Sequence, residues 1–396
     1  MANVEMLGNS QFPTYDGFVD EEIGIRIRER LNLVKPNLNQ KQLAEKLEMT
    51  PDALSRSLSG KRAFTAVELV RAADVLGTSA HWFVTGEPDP FAVKVSGRQT
   101  FDRVAKSHKP VDWSAADETI SNLALAYLQV YPVPVSKTAL PVPRSAGETR
   151  AALKAAFDGD FVRHLSEATE KAFGVDVIRV GNLPHAIAME VGGRYAILVS
   201  ETGNWFFENW SIGHELGHIA LGQLSDLGTD ACDDPDAERA ANAFAAELLM
   251  PESDVRAVSW TSMDAARLAR FLWSTGVSTQ ALDTRLSALG VSRSAEVDSE
   301  LKKATQAVIR HSQILSSEPG DRISERIQQA SSRRFPDHLI SAHTDAVAEG
   351  KIGASVLAWM LGVPTEQLNE QLAPPLETNV DVDELARELG LVDPSS

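Results

Sequence analysis

Residues 205–221 read WFFENWSIGHELGHIAL, and residues 235–251 read PDAERAANAFAAELLMP. Both stretches carry helix-forming composition, and Pro251 stops the second because a proline lacks the N–H that a helix interior needs. His214 and His218 lie four apart, one turn along one face of a helix, where two imidazoles reach a single ion. Glu215 follows the first histidine and is placed to act on water held at that ion. A third ligand is then required, and Glu238 stands twenty residues beyond His218 on the second helix. If the two helices run antiparallel, His214, His218 and Glu238 form a two-histidine, one-carboxylate zinc site with one position left for water. Along the first helix Phe206, Phe207, Trp210, Leu216 and Ile219 are expected to face the core and not to form a substrate box.

Working outward, three apolar runs precede this pair of helices: Asp176–Val180, Ala186–Val191 and Tyr195–Ser200. They read as strands, with Gly192-Gly193 as a hairpin turn between the last two. Residues 148–173 read as helix, and a shorter helix is expected near 117–130. Between them the Pro-rich 131–147 stretch is a linker or an extended cover strand. Downstream, residues 263–391 show helical periodicity broken near Gly276, Gly290, Gly350 and Gly362. There Leu357, Met360, Leu361 and Leu368 read as helix core, and His338 and His343 as surface residues.

Near the other end, helical spacing begins at Glu21, after an arm without pattern. Ile23, Ile27 and Leu31, then Leu43 and Leu47, then Leu54 and Leu58, then Val67, Val70 and Leu76 give four short amphipathic helices. Breaks fall at 36–39, 49–51 and 60–63. Thr50 is placed to cap the third helix, with Pro51 at its first position.

Composition limits the class. With 396 residues the chain suits two or three domains, and 43% hydrophobic against 23% charged residues describes a folded protein. No stretch approaches the roughly 18 apolar residues of a membrane span, and the acidic start does not read as a signal peptide. The single cysteine, Cys232, excludes a disulfide framework and makes a reducing cytoplasm the expected compartment. Lying between the metal ligands, Cys232 is either a spectator thiol or a thiolate able to occupy the open metal position. The Asp-rich 225–236 loop is either a solvated loop or a selector of basic peptides. A net charge of −17 repels nucleic acid on average. Residues 20–87 nevertheless hold ten Lys and Arg against ten Asp and Glu, so the acidity lies elsewhere.

The run HELGHIAL followed by ERAANAFAAELLMP resembles the ImmA/IrrE family of metallopeptidases, over about residues 173–290. The match includes VSTQALDTRLSALG (277–290), which is similar to a small helical unit that follows the peptidase core in that family. The resemblance implies His214, His218 and Glu238 as zinc ligands and Glu215 as general base. Ser200 and Gly213 stand where that family usually has Asn and Ala. Residues 38–87 are similar to the XRE/Cro helix-turn-helix repressors, which implies a recognition helix over 51–58. Asp52, Ser55 and Arg56 would then face base edges of an operator in double-stranded DNA, with Gln40, Thr50, Lys61 and Arg62 toward phosphates. Residues 334–372 are similar to segments found behind fused domains of these two kinds, and imply dimerisation or partner binding.

The expected architecture is mainly α with a small β-sheet. It comprises an all-α helix-turn-helix domain (20–87), a linker with a short helix (88–147), a central α+β zincin-like metallopeptidase core (148–260), a small helical subdomain (261–295) and a helical C-terminal region (296–396). The implied function is a DNA-binding regulator, paired as a homodimer on its operator, whose zinc endopeptidase cuts a partner repressor protein to relieve repression. The alternative is a transcription regulator or antitoxin whose zinc domain senses or binds a partner without cutting it.

Overall fold

In the computed structural model the described residues are 18–96, 100–102, 107–109, 114–135, 139–157, 160–181, 183–227, 234–314 and 321–372. Cys232 and half of the Asp-rich loop, residues 228–233, fall outside them, so both readings of that thiol do too.

The N-terminal unit consists of α1 (Phe18–Val34), α2 (Gln40–Lys46), α3 (Pro51–Leu58), α4 (Ala66–Leu76) and α5 (Ala80–Thr85). Each start from α2 to α5 is fixed by a side chain that accepts an otherwise unpaired backbone N–H. Asn39 and Thr65 form capping boxes with Gln42 and Glu68, while Thr50 and Ser79 cap α3 and α5. The helices bury Ile27, Leu43, Leu54, Leu76 and Phe83 completely. One part of the periodic reading fails: Val67 and Val70 are more than half exposed, and Leu69, Ala72 and Ala73 fill the core face of α4. Only these fall at three- and four-residue steps from Leu76 on the side that α1 and α5 cover.

Beyond this unit the chain forms β1 (Lys94–Val95), a two-stranded ribbon of β2 (Thr100–Asp102) and β3 (Ser107–Lys109), and α6 (Ser114–Val130). The expected helix over 148–173 is divided into α7 (Ala146–Ala156), a short 3-10 turn and α8 (Leu165–Phe173). Next come β4 (Val175–Val180), β5 (Ile187–Val191), β6 (Arg194–Ser200), α9 (Trp205–Leu221), β7 (Ser225–Asp226) and α10 (Pro235–Leu249). Smaller helices follow: α11 (Glu252–Arg256), α12 (Ala265–Thr275), α13 (Thr279–Ala288), α14 (Ala295–Leu301), α15 (Thr305–His311), α16 (Arg322–Ser331), α17 (Asp337–Ala348), α18 (Ser355–Leu361) and α19 (Thr365–Leu372). Among the described residues no helix is long and apolar enough to cross a membrane.

The sheet is mixed, in the order β4-β6-β5-β1-β7, with β4 parallel to β6 and the remaining neighbours antiparallel. Because strand side chains alternate, the continuous apolar runs must be covered on both faces. Val177, Ile197 and Val199 pack toward α8, α9 and the helices beyond, whereas Ile178, Met189 and Leu198 pack with Ile120, Leu123 and Tyr127 of α6. The second face is completed by Leu339 of α17 and by Val356, Leu357 and Met360 of α18. The described C-terminal helices therefore close the core of the central domain. Leu361 is a correction to the core reading, at 45% exposure, and His343 is a correction to the surface reading: it is fully buried with Nε2 on the carbonyl of Ala126 at 2.9 Å.

Gly192 and Gly193 both have positive φ, 56° and 75°, as a two-residue hairpin of this hand requires. Part of the Pro-rich stretch passes directly over that turn. The N–H of Val135 donates to the carbonyl of Gly192 at 2.8 Å, and a Cβ on Gly193 would collide with the Val135 carbonyl. The stretch is thus a cover at this point, and it also buries Val142.

Candidate metal centre

Helix α9 begins where Asn204 accepts the N–H of Phe207 and ends at Gly222, whose φ of 69° supplies a left-handed cap. Helix α10 begins at Asp234, which caps it ahead of Pro235. The two helices approach closely because α9 carries glycine where they touch. A Cβ on Gly217 would lie 3.0 Å from Cα of Ala241, closer than side chains ordinarily approach a backbone. This packing places Glu238, one turn before Ala241, across from the two histidines.

Nε2 of His214 and Nε2 of His218 are 3.0 Å apart, and each lies 3.3 Å from a different carboxylate oxygen of Glu238. Ligand atoms on a tetrahedral zinc are separated by about 3.3 Å, given bonds of about 2.0 Å. The three donors thus surround one point at metal-site spacing, and they are the one group of three such residues found among the described residues. Nδ1 of His218 faces Oε1 of Gln223 at 3.0 Å, which assigns its proton to Nδ1 and turns Nε2 toward the centre. Nδ1 of His214 is buried without a hydrogen-bond partner among the described residues.

The three side chains also interact electrostatically with one another. Burial pushes the Glu238 carboxyl upward, but the hydrogen bonds from His214 and His218 outweigh it and hold the group down at about 2. Burial lowers His218, and the hydrogen bond to Glu238 with the charges of Glu215 and Glu238 more than reverses this. Glu215 is buried, and its Oε2 accepts the N–H of Ala188 on β5 at 2.8 Å. The acid beside the three candidate ligands is therefore held by the sheet and not by its own helix.

A cleft of about 1200 Å³ opens on this centre. Its lining includes His185, His214, Glu215 and Glu238, with an apolar side made of Phe206, Phe207, Trp210 and Ala243. Phe207 was expected in the core, yet it is 42% exposed and Trp210 is half-buried, because only the Phe206, Leu216 and Ile219 side of α9 faces the sheet. His185 and Arg239 also line the cleft. Burial lowers the pKa of His185 against the opposing charges of Glu215 and Glu238. Tyr195 does not line it; burial and Glu190 push its hydroxyl up to about 12.

Residues 172–287 match the family model of the IrrE N-terminal-like domain, and residues 27–83 match that of the helix-turn-helix. The chain is an XRE-type helix-turn-helix domain fused to an ImmA/IrrE-like domain. A search of curated proteins gives no match. In the helix-turn-helix part, Gln40, Thr50, Asp52, Ser55, Arg56 and Lys61 are all exposed around α3 and its flanks. Arg62 is not available in the same way. Its guanidinium binds both oxygens of Glu68 at 2.8 and 2.9 Å and the hydroxyl of Ser57 at 2.8 Å. Arg26 and Arg30 are likewise spent on carbonyls at the C-terminal ends of α5 and α4.

Gln223, Ala188 and Ser96 were not found from the sequence. Gln223 follows the α9 cap, and only the caps Gly222 and Asn204 are local signals. Ala188 and Ser96 reach Glu215 through the sheet.

Proposed function

We propose that the ImmA/IrrE-like domain is a zinc endopeptidase that cuts a partner repressor, and that the helix-turn-helix domain brings it to an operator. The observation that carries this reading is the ring of His214, His218 and Glu238 beside a buried Glu215, with a cleft of about 1200 Å³ opening on it. When bound, zinc supplies a Lewis acid that polarises the peptide carbonyl and makes water acidic near neutral pH. The chain's own groups do the rest. His214, His218 and Glu238 hold the ion, with Gln223 fixing the tautomer of His218. Glu215 takes a proton from water on its carboxylate and hands it to the leaving amine nitrogen as the C–N bond breaks, while the N–H of Ala188 keeps that carboxylate oriented. Phe207, Trp210 and Ala243 give the substrate chain an apolar wall that keeps water away. The direct test is to incubate the zinc-loaded protein with candidate repressors and follow defined fragments by mass. Fragments that vanish with a chelator support the reading.

The DNA-binding role rests on the exposed face of α3. Arg56 lies in its last turn, exposed, and forms no ion pair with any described residue. A guanidinium there can make the bidentate contact to guanine. Arg56→Ala is expected to weaken operator binding by about 1–3 kcal/mol and to relax preference at one base position. Gel-shift titration against operator variants reads both effects, and an equal loss on every sequence would reassign Arg56 to a phosphate. With ten basic residues balanced by ten acidic ones, and Arg26, Arg30 and Arg62 engaged internally, one domain has little net attraction for phosphates. Two copies on adjacent half-sites are the expected binding form.

A further inference from the structure

The sheet edge nearest the metal centre is filled by the chain itself. Ala188 of β5 donates its N–H both to Oε2 of Glu215, at 2.8 Å, and to Oγ of Ser96, at 3.0 Å. Its carbonyl accepts the N–H of Ser96 at 2.9 Å. The next residues of that edge, Met189 and Glu190, pair with Val95 and Lys94 of β1. His185 and Ala186, just before β5, line the cleft. The same edge thus runs from the cleft, past the hydrogen bond that holds Glu215, into the pairing with β1.

An open edge beside a peptidase centre is where an extended peptide adds as a strand, taking main-chain bonds from the sheet and placing alternate side chains in pockets. The geometry points to β1 as an internal occupant of the docking edge, a self-inhibiting strand that an extended segment of the protein substrate displaces. This rests on the peptidase reading above. The strand is suited to exchange because its pairing is two residues long and its other neighbour, β7, is also two residues long, against five to seven in β4, β5 and β6. It is also fully seated, with Val95 and Ser96 wholly buried, so the closed state is the resting one.

The occupant indicates what replaces it. Lys94 lies opposite Glu190 on one side and Asp226 on the other, and its ammonium pairs with Glu190 at 3.3 Å. Val95 enters the apolar layer that contains Met189. The displacing segment is therefore extended, with a basic residue followed by a small apolar one. Position along the chain adds a control. Helix α5 ends at Thr85 and β1 begins at Lys94, so eight residues connect the DNA-reading unit to the strand. A change in how the helix-turn-helix domain is held acts on β1 over a span of at most about 30 Å.

The test uses the full chain with Cys232→Ser, Lys94→Cys and Glu190→Cys. These directly opposed positions lie within disulfide reach, so oxidation locks β1 onto β5 and reduction frees it. Cleavage of the candidate repressor is expected to be at least tenfold slower in the oxidised protein than in the same protein after reductant. Ser96→Pro, which removes both bonds to Ala188, is expected to cut faster than the unaltered chain. Equal rates in the oxidised and reduced forms overturn the proposal. A second readout needs no substrate. Hydrogen exchange in the unaltered chain is expected to be at least tenfold faster at Val95 and Ser96 than at the amides of β6. Equal protection also overturns it. Absence of cleavage in every form, with fast exchange at β1, would instead reject the peptidase reading and leave the strand's exchange established.

Discussion

Glu215→Ala should bind zinc at full stoichiometry and release no fragment from a repressor that the unaltered protein cuts. The size of the effect follows from the proton that Glu215 moves, since a positioned general base contributes about 10²–10⁴-fold. The fold should survive the change. Removing the carboxylate leaves the N–H of Ala188 with the hydroxyl of Ser96 as its second acceptor, so no buried donor is orphaned. The three ligand side chains at 214, 218 and 238 are untouched. The experiment pairs metal analysis with a time course of fragments by mass. Cleavage within tenfold of the unaltered protein would remove Glu215 from the mechanism. In cells, equal derepression by this variant would favour a regulator that binds its partner without cutting it. That outcome would leave the expected loss of operator binding in Arg56→Ala standing, because the two predictions rest on different domains.

The parts legible in the sequence were those with a local cause. Helices α9 and α10 begin and end where the sequence places them, because Asn204, Gly222, Asp234 and Pro235 satisfy or break the backbone within one turn. The spacing of His214 and His218 follows from helical pitch, and their meeting with Glu238 follows once α9 and α10 are antiparallel. The hidden parts have tertiary causes. Which side of α4 is core depends on where α1 and α5 lie, so Val67 and Val70 read like Leu69. Phe207 reads like Phe206 until the sheet is known to cover only one side of α9. His343 reads as a surface residue until α17 is seen to cover α6. Ser96 carries no motif at all; it matters because β1 pairs with a strand more than ninety residues later.

Arg179→Met is expected to be the most destabilising single change outside the metal centre. Arg179 on β4 and Glu208 on α9 have side chains only 9% exposed, and the guanidinium grips both carboxylate oxygens, at 2.9 and 2.5 Å. Its third nitrogen donates to the carbonyl of Ser332 at 3.1 Å, next to the backbone bridge between Arg179 and Arg334. One residue thus ties the sheet, helix α9 and the segment after α16 together. Methionine fills the space but leaves a carboxylate buried without its fork of donors. Breaking such a pair from one side costs about 3–5 kcal/mol, a large share of the 5–15 kcal/mol that ordinary domains have. The sign of the pair itself is a separate matter. Two charges taken out of water regain little beyond their desolvation, so Arg179→Met with Glu208→Leu should recover most of the loss. Urea midpoints of the single and double variants measure both terms. A single variant within 1 kcal/mol of the unaltered chain would show that water reaches Glu208 and that the pair is not buried. Because Glu208 lies six residues before His214 on the same helix, the single variant should also bind zinc more weakly, and the double variant should restore it. Recovery of stability without recovery of zinc affinity would mean that the pair sets the position of α9 and not merely its anchorage.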